Sequence, residues 1–342
     1  MNLEKWLWPY YNNFVKALNS GRLTGSLLIS GTYGQGAYNL ALYCAKAYLC
    51  QQRQDLKPCN NCKSCAMFDS MSHPDFMCVR PVNKSAFDAG EDFSNKYDAL
   101  LQRQSGEVLR VDSLRKMSSY LYESSATGPC KVCVVSYAHT MTESAANAIL
   151  KTFEEPPLNT LIIMVADSLE LLLPTILSRA LKLPIFAIDE KEALSYLQNA
   201  GLDAVFSKVA LSLSSNAPLD AKYLCDIGIC QSAIDIVDGV YGLINRKYND
   251  DYLLDLLSKL DIHTIKIIFS NLILQIIKFK AHVPLDKLPL LDSEKALAFA
   301  KIKADRLFEI DSMLNNLDKS NQAMVIRAPK ATLRAFLQKL LG

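Results

Sequence analysis

Cys59-Asn60-Asn61-Cys62-Lys63-Ser64-Cys65 sets three thiols at three-residue intervals, and Cys50 stands nine residues before the first of them. Four cysteines can close a tetrahedral shell around zinc with Zn–S of about 2.3 Å, and a C-x-x-C-x-x-C turn gathers three of them at small conformational cost. A closed thiolate shell has no open coordination position, so the metal it implies is structural. An iron–sulfur cluster uses similar cysteine runs and stays as an alternative. His73 and Cys78 are spare candidates that read more simply as fold residues, while Cys44, Cys130, Cys133, Cys225 and Cys230 fall in apolar patterns suited to core packing.

A second chemistry-bearing stretch is Leu27-Leu28-Ile29-Ser30-Gly31-Thr32-Tyr33-Gly34-Gln35-Gly36-Ala37-Tyr38. Gly31 and Gly36 have the separation of G-x-x-x-x-G-K-[ST], a loop whose backbone N–H groups cradle phosphates while lysine reaches the terminal phosphates and the hydroxyl holds magnesium. Ala37 replaces the lysine and Tyr38 the hydroxyl residue. Any strand–turn–helix needs glycines, so the spacing alone is a weak signal. Lys131-Val132-Cys133-Val134-Val135-Ser136-Tyr137 decides the matter. It has the form of the buried strand that, in such ATPases, ends in an aspartate for magnesium and a glutamate that orients water, and here those positions are Ser136 and Tyr137. Without lysine, aspartate or glutamate, little remains to neutralise phosphate charge. Both positions point to a nucleotide-binding fold with no functional ATP or magnesium site.

The third is Leu173-Pro174-Thr175-Ile176-Leu177-Ser178-Arg179-Ala180. By itself Arg179 reads as a surface or C-cap arginine. Beside the other motifs it can instead project across a subunit boundary and stabilise charge on a neighbour's transferring phosphate, an effect on the order of 10³–10⁵ in rate in GTPase examples.

The elements that must position these residues follow from periodicity. Short apolar runs predict strands at Ser26–Ser30, Phe76–Val79, Lys131–Ser136 and Thr160–Val165, with a last short one near Leu181–Phe186. Helical patterns alternate with them at Ala37–Cys50, Val111–Glu123, Glu143–Phe153 and Leu169–Ser178, the alternation of an α/β domain with a largely parallel sheet. Pro156-Pro157 ends the third helix. Residues 81–107 read as a polar loop insertion with no assignable role. After Pro184 the strand signal fades, and Asp189-Glu190-Lys191-Glu192 looks like an acidic helix start. The expected division is an α/β domain over 1–184, a small helical domain over 185–228 with a turn at Ser214–Pro218, and an all-helical domain over 229–342 with loops at Tyr248–Asp251 and Val283–Pro289.

Bulk properties narrow the class. A chain of 342 residues exceeds the roughly 250–300 at which single cores stop growing, which predicts several domains. With 50% hydrophobic and 21% charged residues the composition is that of a folded globular protein. The net charge is only +2, so no global positive field marks a nucleic-acid binder. Arg327, Lys330, Arg334 and Lys339 near the end read as a solvated basic face rather than a DNA track. The N-terminal stretch lacks the pattern of a signal peptide. The apolar run Ile267–Ile277 is about half of the roughly 20 residues that cross a bilayer, so a buried helix is expected there. A cytoplasmic location follows, where the ten cysteines are expected to be reduced.

Gly31–Tyr38, the cysteine set, Val111-Asp112-Ser113-Leu114-Arg115, Ala145-Ala146-Asn147-Ala148-Ile149-Leu150-Lys151-Thr152-Phe153-Glu154-Glu155-Pro156-Pro157 and Ser178-Arg179 together resemble the bacterial clamp-loader family of AAA+ proteins. The alanine-rich run ending in Glu-Glu-Pro-Pro is the most specific of these, and the resemblance is strong over about residues 20–185. It implies a zinc-bearing AAA+ domain, a small lid and a helical collar that holds subunits in a ring. It further implies a non-hydrolysing subunit of the DNA polymerase III holoenzyme that sits beside hydrolysing gamma/tau subunits and the delta subunit. Such a subunit offers Arg179, supported by Ser178, to a neighbour's ATP while the sliding clamp is loaded onto primed DNA. The family's S-R-C is Ser178-Arg179-Ala180 here, which leaves the arginine in place. The competing readings are an active NTPase with an atypical loop and a zinc-dependent DNA-binding module.

Overall fold

The computed structural model describes residues 2–23, 25–53, 57–82, 107–247 and 249–319. The basic face at Arg327–Lys339 and nearly all of the insertion between Pro81 and Glu107 lie outside them. The chain divides into two compact units, Met1–Ala187 and Ile188–Gly342.

The first unit is built on a five-stranded sheet in the order β2-β3-β4-β1-β5, formed by β1 (Ser26–Ser30), β2 (Phe76–Val79), β3 (Lys131–Val135), β4 (Thr160–Ala166) and β5 (Leu181–Pro184). Every pairing is parallel. Ser26 to Ser30 run beside Ile162 to Ala166, Leu27 beside Leu181, Lys131 beside Thr160 and Phe76 beside Val132. Parallel neighbours cannot be joined by a tight hairpin, so each connection passes through helices that cover the sheet. That explains why β1, β3 and β4 are buried at every residue and read as unbroken apolar runs rather than alternating ones. This is the AAA+ sheet the sequence resemblance implies.

The helices are α1 (Trp8–Asn19), α2 (Ala37–Leu49), α3 (Lys63–Asp69), α4 (Val111–Tyr122), α5 (Glu143–Glu154) and α6 (Pro174–Arg179). Leu114, Met117 and Leu121 of α4 join Ala145, Ile149 and Phe153 of α5 over one face of the sheet in a single apolar cluster. Thr142 caps α5 by accepting from the Ala145 N–H at 3.2 Å. Two of the sequence expectations that shift bear on the site. The helix expected from Leu169 starts only at Pro174, because proline at the first helical position has no N–H to leave orphaned and its fixed φ suits a helix start. The strand expected to reach Ser136 ends at Val135, because the chain turns left-handed at Tyr137; the Ser136 N–H and hydroxyl both donate to the Val79 carbonyl, at 2.9 and 3.1 Å.

The second unit holds helices α7 (Glu190–Asn199), α8 (Ala204–Leu213), α9 (Pro218–Asp226), α10 (Ile229–Ile244), α11 (Asp250–Ser258), α12 (Ile262–Lys280), α13 (Ser293–Ala300) and α14 (Ala304–Lys319). Asp189, Asp203, Asn249, Asp261 and Asp292 cap their helices through side-chain oxygens, each satisfying an N–H that the helix leaves unpaired. One apolar core runs from Ala193 to Leu314. Within it Gln275 of α12 donates to Ser212 Oγ of α8 at 2.8 Å and accepts from the Leu290 N–H at 3.0 Å. α12 is long and apolar enough to cross a membrane, yet Ile265, Ile268, Phe269, Leu272 and Ile276 lie in this core, as expected of a buried helix. Cys225 and Cys230 depart from the expectation of reduced packing residues. The left-handed turn at Gly228 brings their Cα atoms to 5.0 Å, and the two are paired as a disulfide.

Candidate functional site

The glycine-rich turn leaves the carboxyl end of β1 and opens α2 at the sheet edge, where parallel α/β sheets bind ligands. Gly36 caps α2 with φ of 98°, a left-handed conformation open to glycine. The backbone therefore has the shape of a phosphate cradle, and apolar side chains approach its glycines closely. A Cβ on Gly36 would meet Leu7 Cδ1 at 2.7 Å, and one on Gly31 would meet Ile185 Cβ at 3.0 Å. The Trp6 indole N–H donates to the Gln35 carbonyl at 2.9 Å, and Asn39 Nδ2 donates to Glu4 Oε1 at 3.2 Å. Burial pushes the Glu4 carboxyl above its usual range, partly offset by its own backbone N–H and by Asn39. Gln35, Ala37 and Tyr38 are all buried, and the Tyr38 hydroxyl lies 2.9 Å from Cys78 Sγ.

At the carboxyl end of β3, Ser136 is spent on the Val79 carbonyl and Tyr137 adopts a left-handed φ of 48°. That conformation is costly for a non-glycine residue and must be held by its neighbours. It turns the Tyr137 ring to stack on Tyr33 of the glycine-rich turn, with centroids 6.4 Å apart and planes at 22°. His139 meets the same ring edge-on at 6.1 Å. Its Nδ1 accepts from the Asp167 N–H at 3.2 Å, which puts the neutral ring's proton on Nε2, 3.7 Å from Asp167 Oδ2. The sequence placed Gly31, Gly36, Ala37, Tyr38, Ser136 and Tyr137 near one another in chemistry, and the fold brings both ends to one edge of the sheet. It did not single out Tyr33, Trp6 or Glu4.

The four cysteines converge. Cys50 ends α2, Cys62 caps α3 and Cys65 lies within it. The Sγ atoms of all four lie within 4.8 Å of one another, with Cys50–Cys62 at 3.9 Å and Cys59–Cys65 at 4.0 Å. A regular tetrahedron of thiolates around one ion has edges of about 3.8 Å, so the set fits a single four-coordinate metal rather than a cluster that would hold the sulfurs farther apart. Backbone N–H groups already point at sulfur, from Cys59 to Cys50, from Cys62 to Cys59 and from Cys65 to Cys62, at 3.3–3.4 Å. Burial opposes ionisation of Cys62, yet the N–H groups of Cys65 and Gln51, with the adjoining thiols, outweigh it and hold that thiol at about 6. The Asn61 N–H lowers Cys59, whereas burial pushes Cys50 and Cys65 up. Four thiolates this close ionise together only around a cation. His73 and Cys78 are fold residues. His73 Nε2 lies 2.9 Å from Ser64 Oγ, its Nδ1 accepts from the Asp75 N–H, and burial lowers its pKa.

Sequence reading missed what anchors this module. Lys46, a lone charge in the apolar run of α2, has a fully buried side chain that donates to Asn60 Oδ1 at 2.7 Å and to both Asp69 oxygens at 2.8 Å. Asn60 adopts a left-handed φ of 60° between Cys59 and Cys62, a conformation asparagine tolerates. The pair is asymmetric, since Asp69 is 41% exposed. Asp69→Ala strands a buried ammonium and is expected to cost about 3 kcal/mol. Lys46→Met leaves a carboxylate that water can reach and should cost about 1 kcal/mol. Urea denaturation midpoints of the two variants check the order, and equal losses would show that Lys46 is solvated.

Arg179 ends α6, which packs on α5. Its Nε lies 2.9 Å from Glu154 Oε1 and its Nη1 donates to the Thr175 carbonyl at 3.1 Å. The neighbouring Ser178 hydroxyl also donates to Thr175, at 3.1 Å, so it braces the helix end.

A family profile described as "DNA polymerase III, delta subunit" matches residues 9–189, which takes in the glycine-rich turn, the cysteine module, the β3 end and Arg179. The chain belongs to that family. Among curated relatives, it is 30% identical over 197 residues to "DNA polymerase III subunit delta'" of Haemophilus influenzae, covering 58% of this chain and 53% of that one. The protein of the same name from Escherichia coli is 31% identical over 179 residues, covering 52% and 47%. That from Bacillus subtilis is 26% identical over 181 residues, covering 53% and 46%. The chain thus spans about half the length of the curated relatives it matches, and the family profile falls on the sheet-bearing part that carries the site.

Proposed function

We propose that this chain is the delta-prime subunit of a bacterial replicative clamp loader. In this reading it hydrolyses no ATP itself and lends Arg179 to a neighbouring gamma/tau-type ATPase subunit during loading of the sliding clamp onto primed DNA in the cytoplasm. The observation that carries the reading is the Tyr33–Tyr137 stack, together with buried Ala37, Tyr38 and Ser136 at the lysine, hydroxyl and aspartate positions. Aromatic faces and a methyl group stand where phosphoryl transfer needs a cation and carboxylates. Residues 1–184 then form the subunit's AAA+ body, 185–228 its lid and 229–342 its collar against the other subunits, delta among them.

Cys50, Cys59, Cys62 and Cys65 hold zinc in this reading. The metal supplies a structural cross-link between the end of α2 and α3 and takes no part in phosphoryl transfer.

Steady-state phosphate release tests the function. The purified chain with ATP and magnesium should give no turnover above buffer, with or without primed DNA. Added to gamma/tau-type subunits and delta, it should raise DNA-stimulated hydrolysis. Turnover by the chain alone would instead favour an active NTPase with an atypical loop.

A further inference from the structure

Glu154 closes α5 just before Pro156-Pro157. A carboxylate at that end faces the negative pole of the helix dipole, an unfavourable place unless a cation compensates it. The cation is Arg179, 2.9 Å away. The Arg179 and Glu154 side chains are 35% and 48% exposed, and pairs this open to solvent add little to stability. What the contact supplies is direction. A guanidinium is planar and rigid, so holding Nε against Glu154 and Nη1 against the Thr175 carbonyl fixes the orientation of the whole fork. Nη2 is left with no partner among the described residues.

We infer that Glu154 is a positioning residue for Arg179: it fixes the guanidinium so that Nη2 faces outward as the donor to a terminal phosphate oxygen of nucleotide held by the adjoining subunit. This rests on the reading of Arg179 as a donor in trans. The carboxylate touches neither nucleotide nor reacting atoms and acts only through the arginine. Thr175 contributes a backbone carbonyl, so among these side chains only Glu154 can be removed to free the fork without deleting it.

The test is DNA-stimulated ATP hydrolysis by the reconstituted loader carrying Glu154→Ala, Glu154→Gln, Arg179→Ala or the double variant Glu154→Ala/Arg179→Ala. Loosening a group by about 1 Å costs up to about 10²-fold, so Glu154→Ala should lower kcat on the order of tenfold at the site Arg179 serves. The KM for ATP and the melting temperature of the chain should stay unchanged. Glu154→Gln, which keeps a side-chain oxygen of the same reach beside Nε without the charge, should recover most of the rate. The double variant should be no slower than Arg179→Ala, because the two residues act as one unit. A normal or raised kcat for Glu154→Ala, beside a slow Arg179→Ala, overturns the positioning role and leaves the arginine donor standing. Additive losses in the double variant also overturn it. A normal rate for Arg179→Ala removes the donor reading and this inference with it.

Discussion

A loader reconstituted with Arg179→Ala is expected to lose hydrolysis at the ATP site that this chain faces, by on the order of 10³-fold. Total phosphate release then falls to what the remaining sites deliver. The expectation follows from the chemistry of the transition state, in which charge spreads over the oxygens of the transferring phosphoryl group and a fixed cation stabilises it more than it stabilises bound ATP. The effect therefore belongs in kcat. Arg179→Lys should not restore the rate, because an ammonium is a point charge without the planar fork that contacts Glu154 and the Thr175 carbonyl. Single-turnover hydrolysis on primed DNA, with assembly monitored by sedimentation, separates lost chemistry from lost association. An intact rate in a fully assembled loader would remove the proposed role.

Chelation, or Cys62→Ser, is expected to abolish metal binding, from about one ion per chain to none by elemental analysis, and to unfold the module locally. Structural zinc in small peptides is worth about 10–16 kcal/mol, far above anything else that orders this short stretch. What remains without it includes the Ser64 hydroxyl on the Leu49 carbonyl at 2.8 Å, the Lys46 contacts to Asn60 and Asp69, and Phe68 packed on Phe76 with centroids 4.7 Å apart. Those anchors tie the module to α2 and β2, and the core over α4 and α5 shares no residue with the cysteine set. Hydrogen exchange should accordingly lose protection from Cys59 to Asp69 while β1, β3 and β4 keep theirs. Unchanged protection after complete metal removal would show that the module needs no ion. Loss of the whole sheet would show that the module supports the domain rather than decorating it.

The amino-acid sequence by itself determined the parallel sheet and the composition of the site. Short apolar runs between turn signals made β1 and β2 legible to the residue, and the caps and prolines that bound the helices are local signals. Thiols at three-residue intervals announce a metal shell because ligand spacing is a local property. The absence of lysine and carboxylates at positions 37, 136 and 137 is likewise written in residue type alone.

Only the tertiary structure decided which side chains meet beside those positions. Tyr33 and Tyr137 lie far apart in sequence, and their stack depends on a left-handed backbone at residue 137 that no pattern announces. Trp6 on Gln35, Lys46 on Asp69 and Glu154 on Arg179 are likewise contacts across 29, 23 and 25 positions of chain. Their partners are chosen by where the sheet order puts α2, α5 and α6, and periodicity carries no record of that choice. The Cys225–Cys230 pair makes the same point at short range. Composition suggested two packing thiols, and the turn at Gly228 brought them together.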